Sequence, residues 1–288
     1  MVAFASQKVC CAMVAGGIVG PLFWASSAFA AGSVPSHPDF SRNGVGWVGI
    51  GTDLVAVPGG PAPVTDDPKY PHLSNADARA SDGQPSYRVA DITNPNLTEF
   101  SIDRLKKSND MVHAGFAMVS REARCWATGV PAYLLNPAQP TFILQTPKKI
   151  TMIWQMDQQI RHIYLDVPHS ENLKPSWYGE SVGHYEGDTL VVDTIGQNTK
   201  TFIDNFRTPH SEKLHVIERY RLIEDGQKLQ ADITIEDPVV FKQPLHVMHQ
   251  WRRVQGPMTE SRCVDGERYN PLPKELVEPL PTADRPDF

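Results

Sequence analysis

Charged side chains are almost missing from the first 38 residues, where Lys8 is the only one. The apolar run from Val9 to Phe29 ends in Ala28-Phe29-Ala30, which fits the small-residue rule for signal-peptide cleavage. Glycines and a proline inside the run disfavour a transmembrane helix. We therefore expect residues 1–30 to be a signal peptide, the mature protein to be periplasmic or secreted, and no membrane span to remain after cleavage.

Cysteine is also scarce, because the chain has four and Cys10 and Cys11 lie within the predicted signal. The mature chain keeps only Cys125 and Cys263, so an oxidising compartment allows a single pairing. In a hairpin-linked barrel the first and last strands meet, which would bring these two residues together. We predict a Cys125–Cys263 disulfide, with two independent buried thiols as the alternative.

Two common catalytic motifs are missing. No glycine-rich phosphate loop follows a predicted strand and no H-E-x-x-H occurs, which disfavours nucleotide enzymes and zinc proteases. Without Lys8 the chain has 26 basic and 33 acidic residues, and this net charge of −7 argues against a nucleic-acid partner. We expect a small-molecule ligand or substrate, no organic cofactor and no bound metal, and the oligomeric state stays open.

Regular periodicity is missing from residues 31–96, which are rich in Pro, Gly, Asp and Ser. We predict one short strand there, Val45–Ile50, and an irregular segment that wraps the rest of the fold, with a lid as the alternative. The remainder divides into a domain at residues 97–265 and an extended, proline-rich tail at residues 266–288.

One helix opens the main domain. Asn96 can cap it, and Glu99, three residues later, resembles a capping-box partner. Apolar residues then recur at spacings of three and four to about Arg121, which predicts an amphipathic helix.

A β-hairpin is the strongest structural signal in the chain. Leu214–Leu222 and Leu229–Asp237 alternate in hydrophobicity and flank Asp225-Gly226, a dipeptide that favours a two-residue turn. In this register Leu222 lies opposite Leu229, and each apolar set falls on one face. A shift by one residue would disrupt both faces.

Similar signals predict a mainly β fold. Further strands are expected at Thr141–Gln145, Ile150–Met156, Gln159–Leu165, Gly183–Glu186, Thr189–Thr194 and Leu245–Val254. About eight strands, mostly linked by hairpins, indicate an antiparallel calycin-like (lipocalin-like) β-barrel with one α-helix and a long irregular N-terminal segment. A β-sandwich is the alternative.

Glu218 breaks the pattern of the hairpin because it lies on the apolar face. A carboxylate in such a place must be paired or have a raised pKa. It either forms a structural ion pair, with Arg161 or Arg253 as the partner, or serves as a catalytic base. Its neighbours His210 and His215 are the histidines best placed to carry protons beside it.

Each histidine also has a simpler explanation. His215 lies opposite Glu236 and would form a surface pair, and His210-Ser211 would cap the turn into the strand. A metal site is disfavoured, since His215 and Glu218 point to opposite faces of one strand.

Five further residues are predicted to hold a substrate. Arg161 and Tyr164 would orient it, Trp177 and Tyr178 would stack on a flat or sugar-like ring, and Ser211 lies beside His210. Packing of the aromatic residues in the core is the alternative.

Several runs resemble one group of exported bacterial proteins of mostly unassigned function. The shared motifs are RHIYLD with His169, EGDTLVVDT, PHSEKLHVIER and TIEDP, and the resemblance covers about residues 120–265. Where the group has Gly-His-Ser, this chain has Gly179-Glu180-Ser181. Where the group has Arg-Trp-Glu-Gly, this chain has residues 184–187, His-Tyr-Glu-Gly. If the missing histidine serves the group's chemistry, this member differs in it.

These observations lead to two functional hypotheses. The first is a periplasmic enzyme that uses acid–base chemistry, as a lyase, isomerase or hydrolase, on a small and partly apolar substrate. Glu218, His210 and His215 would transfer the protons, and they should then converge in one pocket. The second is a lipocalin-like carrier that binds an apolar metabolite in the barrel without turnover.

Overall fold

The structure is a computed structural model that describes residues 37–41, 44–81, 87–115, 126–135, 139–156 and 159–260. The predicted signal peptide, both cysteines of the predicted disulfide and the predicted tail at 266–288 lie outside these residues. The elements in chain order are β1 Gly46–Gly49, β2 Val55–Ala56, α1 Asn75–Ala80, α2 Glu99–His113, a 3₁₀ helix Ala132–Leu135, β3 Thr141–Gln145, β4 Lys149–Trp154, β5 Gln159–Leu165, β6 Glu180–Glu186, β7 Thr189–Ile195, β8 His215–Ile223, β9 Lys228–Glu236 and β10 Leu245–Val254.

Nine strands form a closed barrel in the order β1, β3 to β10 and back to β1. The short strand predicted near residue 45 closes it, because β1 pairs with both β3 and β10. The predicted mainly β barrel is confirmed, and it is consistent with a calycin-like fold. Closure removes the sheet edges that a sandwich would keep. The prediction of a purely antiparallel sheet is corrected, because β5 and β6 pair in parallel.

The hairpin of β8 and β9 has the predicted register, with Leu222 opposite Leu229. Its loop spans residues 224–227 instead of two residues, since Ile223 and Lys228 form the last pair. Glu224 has a φ of 51°, Asp225 of 53° and Gly226 of 75°, so the left-handed conformation extends over three residues. The longer loop keeps the same register because it adds one residue on each side of the predicted turn.

Helix α2 begins later than predicted. Thr98 caps it, and Thr98 and Ser101 form the capping box that the sequence suggested for Asn96 and Glu99. Asn96 instead bonds the backbone of Gln243 through both ends of its amide, at 2.9 and 3.0 Å. The helix ends at His113, and the predicted continuation from residue 116 to 121 lies outside the described residues. A second helix, α1, was not predicted. Neither described helix is long and apolar enough to cross a membrane.

Large side chains fill the interior of the barrel. Trp47, Tyr220 and Trp251 project inward from their strands and are almost fully buried. The 3₁₀ helix adds Tyr133 from the segment before β3.

Candidate functional site

Glu218 lies inside the barrel and pairs with Arg161. Both side chains are at most 1% exposed. Arg161 Nη1 donates to Glu218 Oε1 at 3.0 Å, and Nη2 donates to Oε2, so the contact is bidentate. Tyr220 donates its hydroxyl proton to the same Oε1 at 2.6 Å. The carboxylate is therefore held by an arginine and a tyrosine.

The remaining Arg161 donors are also occupied. Nε donates to Ser181 Oγ at 3.1 Å, Nη2 to Thr194 Oγ1 at 2.8 Å and Nη1 to the Tyr133 hydroxyl at 3.3 Å. Burial alone would lower the pKa of Arg161, but Glu218 outweighs it and holds that pKa well above its ordinary value. Burial raises the pKa of Tyr133 to about 12. This geometry favours the structural interpretation of Glu218.

The structure does not bring the three predicted catalytic residues together. His215 is on the outer face of β8, opposite in direction to Glu218. His210 is in the connection before β8, where Nε2 lies 2.7 Å from Thr201 Oγ1 and Nδ1 lies 3.1 Å from the Ser211 carbonyl oxygen. Ser211 donates to both carboxylate oxygens of Asp237, at 2.6 and 2.8 Å.

His215 belongs to a network that crosses four strands on the outer face of the barrel. Asp193 Oδ1 lies 3.0 Å from His215 Nε2 and 3.1 Å from His169 Nε2. His215 Nδ1 lies 3.2 Å from Glu236 Oε2, as the sequence predicted for that pair. His169 Nδ1 lies 3.0 Å from Glu180 Oε1. We call Glu180, His169, Asp193, His215 and Glu236 the His–carboxylate network.

The contacts of His215 favour a doubly protonated imidazole. His215 contacts a carboxylate through each ring nitrogen, and a neutral imidazole has only one N–H to donate. The hydrogen bond to Asp193 is the main reason that the pKa of His215 is raised. The same bond, partly opposed by burial, lowers the pKa of Asp193.

A pocket of about 310 Å³ adjoins the network at Glu180. Its walls include Ile160, His162, Tyr164, Leu173, Tyr178 and Glu180. The alternation of β5 aims its polar and apolar residues at this pocket from the outer face, while Arg161 points inward from between them. Ile160 and Tyr164 are each almost half exposed and give this wall of the pocket an apolar surface.

The parallel pairing of β5 and β6 sets the geometry of the pocket. Ile163 is opposite Ser181, so His162 and Glu180 each lie one step before a paired residue, and both line the pocket. Gly179 precedes Glu180 with a φ of 64°, and a Cβ there would lie 2.2 Å from the Ile195 carbonyl oxygen. Glycine is therefore required where the chain enters β6.

His162 and Glu180 have complementary protonation states. Burial, aided by Lys149, lowers the pKa of His162, which keeps the imidazole neutral at neutral pH. Two hydrogen bonds from Ser170 and one from His169 outweigh burial and lower the pKa of Glu180, which keeps it ionised. Opposed environments of this kind are typical of acid–base sites.

Three of the five predicted substrate-binding residues line this pocket. They are Tyr164, Tyr178 and Arg161, although the Arg161 guanidinium points into the barrel. Trp177 instead packs on Trp126, with ring centroids 5.5 Å apart. Ser211 and His210 line a second, larger cleft. His162 and Glu180 are not predicted as a pair from the sequence, because the parallel pairing that brings β5 beside β6 has no local sequence signal.

Two sequence patterns have structural explanations. Residues 179–183 match G-x-S-x-G, but Ser181 lies within β6, is buried and bonds Arg161 and Thr194. A nucleophile elbow would place that serine in an exposed turn between a strand and a helix. Residues 44–49 match G-x-G-x-x-G, but Gly46–Gly49 of this run form β1 of the barrel, and residues 44 and 45 directly precede it.

In the described part of the chain, no group of three or more His, Cys, Asp or Glu side chains has the geometry to hold a metal ion. Comparison of the sequence and structure with protein-family models, curated proteins and solved structures gives no match.

Proposed function

We propose that the protein is an exported enzyme that performs acid–base catalysis on a small, partly apolar substrate in the pocket at Glu180. The reaction class is elimination, isomerisation or hydrolysis. The observation that supports it is the placement of a neutral imidazole, His162, beside an ionised carboxylate, Glu180, in a pocket with aromatic and aliphatic walls.

In this proposal His162 is the general base. Its Nδ1 lies 3.2 Å from Thr151 Oγ1, an arrangement that holds the ring and leaves Nε2 to accept a proton from the substrate. Glu180 contacts the substrate on the other side and shuttles a proton from His169 to the leaving group or product. His215 supplies a proton to His169 by way of the Asp193 carboxylate, which contacts both rings. Tyr164 and Tyr178 hold the apolar part of the substrate.

Substitution of His162 and Glu180 tests the proposal. Purified full-length protein would be incubated in D₂O with small esters, β-hydroxy carbonyl compounds and enolisable ketones, which represent the three reaction classes. NMR would follow both turnover and exchange of C–H for C–D. We expect His162→Gln and Glu180→Gln each to reduce the rate by about 100-fold or more, as is typical for loss of a general acid or base.

His246→Gln is the matched control. His246 is exposed on β10, and its Nδ1 lies 3.1 Å from Thr234 Oγ1, which reproduces the His162–Thr151 contact outside the pocket. This variant should keep the wild-type rate. An equal loss in His246→Gln, or wild-type rates in His162→Gln, would contradict the proposal. Recovery of an unchanged apolar ligand from the native protein, without turnover, would favour the carrier instead.

A further inference from the structure

A second cleft has a volume of about 880 Å³ and is much larger than the pocket at Glu180. One wall is a face of α2, where Phe100, Arg104, Lys107 and Met111 follow helical spacing. The other wall is the connection between β7 and β8, residues 199–213. This size is in the range of sites that bury a small organic molecule.

The cleft is basic although the protein is acidic. Four basic side chains line it, Arg104, Lys107, Arg207 and Lys213, against one carboxylate, Glu212. The whole chain has a formal net charge of −6. A local excess of cations in an acidic protein concentrates small anions at that place.

Arg207 is the central cation of the cleft. Its Nε donates to Ser108 Oγ at 2.6 Å, and its Nη2 donates to the Arg88 carbonyl oxygen at 2.7 Å. Both acceptors are neutral, and no carboxylate of the described residues forms an ion pair with Arg207 within 4.0 Å. Burial lowers its pKa to about 10, opposed by the charge of Asp204 and aided by that of Arg88, so it remains charged at neutral pH.

The backbone at Arg207 is also strained. Its φ is 64°, in the left-handed region that a long side chain adopts at a cost. This conformation aims the guanidinium at α2, where it contacts Ser108. Such strain is typical of residues held in place for binding. The fold thus holds, in a cleft, an arginine whose hydrogen bonds to Ser108 and to the Arg88 backbone both go to neutral acceptors.

Apolar side chains border the cations. Phe100 and Met111 from α2 and Phe202 from the opposite wall line the same cleft. Phe100 is 39% exposed, and the Arg104 guanidinium lies 5.4 Å from its ring centroid. The surface therefore offers an aromatic platform next to a cluster of positive charges.

We propose that this cleft binds a small organic oxyanion, in which a carboxylate or phosphate group is attached to an apolar body. Arg207 and Lys107 contact the oxyanion, because a guanidinium forms two parallel hydrogen bonds to either group. Phe100 and Met111 cover the apolar body. The site is independent of the proposed catalytic pocket, since the two share no residue.

Isothermal titration of the full-length protein with four probes tests the proposal. The probes are benzoate, phenyl phosphate, inorganic phosphate and the neutral benzamide. We expect benzoate or phenyl phosphate, or both, to bind, benzamide to bind at least about 10-fold more weakly, and the affinity to fall with added NaCl. The relative affinities of benzoate and phenyl phosphate distinguish the two sources of the oxyanion.

Two lysines on α2 form a matched pair of variants. Lys107 lines the cleft and Lys106 does not, yet each is mostly exposed and each pairs with an aspartate four residues away, at 2.8 and 2.7 Å. We expect Lys107→Gln to weaken binding about 2- to 5-fold and Lys106→Gln to leave it unchanged. Arg207→Gln should weaken it by about 10-fold or more. If Arg207→Gln does not fold, the combined Arg104→Gln, Lys107→Gln and Lys213→Gln variant replaces it.

Three results would overturn the proposal. They are binding of benzamide as tightly as the tighter-binding of the two aromatic anions, equal effects of Lys106→Gln and Lys107→Gln, and no binding of either aromatic anion. Binding of inorganic phosphate alone would also contradict it, because the apolar wall would then have no role.

Discussion

A guanidinium inside a β-barrel is tolerated only while its five N–H groups all have acceptors. Arg161 meets this condition through Glu218, Ser181, Thr194 and Tyr133. The pairing does not by itself make the fold more stable than an apolar core of the same shape would. It makes each partner indispensable to the other, because a buried charge left alone has no water to solvate it.

Removal of one partner should therefore be costly. Arg161→Met leaves the Glu218 carboxylate buried without its cation, and we expect the free energy of unfolding to fall by about 3–5 kcal/mol. Urea denaturation followed by circular dichroism would measure the loss. The double variant Arg161→Met, Glu218→Leu removes both charges and should recover most of the stability of the wild type.

Arg219→Met is the control for this prediction. Arg219 pairs with Glu186 on the outer surface, where both side chains are more than two fifths exposed. Loss of an exposed pair typically costs about 0–1 kcal/mol. If Arg161→Met lost no more stability than Arg219→Met, the buried pair would matter no more to the fold than an exposed one, and the prediction would be wrong.

At the residue scale, the sequence identifies Glu218 as an unusual buried carboxylate but does not show what it does. Glu218 is conspicuous in the sequence because a carboxylate occupies an apolar face, and Arg161 is one of the two arginines that could pair with it. The proton-transfer role suggested for Glu218 could not be judged from the sequence, because it depends on whether water reaches the carboxylate. His162 went unnoticed because an exposed histidine on a strand has no distinctive sequence context.

At the level of strands, the antiparallel hairpins were predictable and the parallel pair was not. The register of β8 and β9 follows from local alternation and a turn dipeptide, both of which lie within about 25 neighbouring residues. The pairing of β5 with β6 depends on residues 166–179, which have no periodic pattern. The pocket at Glu180 is a product of that pairing, so its residues could not be assembled from the sequence.

The His–carboxylate network joins β6 to β9 and should make the stability of this side of the barrel depend on pH. The folded protein holds the His215 proton more tightly than the unfolded chain, whose ordinary pKa is 6.5. The stabilisation by His215 is therefore complete below that value and is lost as the pH rises through the folded-state pKa. We expect urea denaturation to show that the stability difference between wild type and His215→Gln shrinks from pH 5.5 to pH 8.5.

Asp193→Asn should abolish most of this pH dependence, because Asp193 is the main cause of the raised pKa. His246→Gln, which removes an exposed histidine outside the network, should keep the wild-type dependence. A difference that grows with pH in His215→Gln would show that the network favours the neutral imidazole instead.

On the scale of the whole molecule, the barrel is closed by four residues of β1. Gly46 lies where β3 and β10 both approach, and a Cβ there would be 2.7 Å from Pro140 Cβ and 3.1 Å from Val254 Cγ2. The closed barrel was predictable from the number of strands. The tight contact at Gly46 was not, because it joins three distant parts of the chain.

We call the junction of β1 with β3 and β10 the seam. Gly46→Ala should overpack the seam and lower the free energy of unfolding by about 1–3 kcal/mol. Urea denaturation would measure it. Gly60→Ala is the control, because its new Cβ would meet no atom closer than 3.7 Å and its backbone is not left-handed. That variant should change the stability by less than about 1 kcal/mol. Equal losses of stability in both variants would show that the seam accommodates an extra methyl group without strain.

We expect the junction of β1 with β3 and β10 also to set the order of folding. Gly46 pairs with Val254, a separation of roughly 200 residues, so closing this loop costs more chain entropy than forming any hairpin. Hairpins such as β8 and β9 are expected to form their contacts early. The barrel closes only after the last strand has joined. An interaction that forms after the rate-limiting step affects how fast the protein unfolds and hardly affects how fast it folds. The loss of stability in Gly46→Ala should therefore be found almost wholly in a faster unfolding rate.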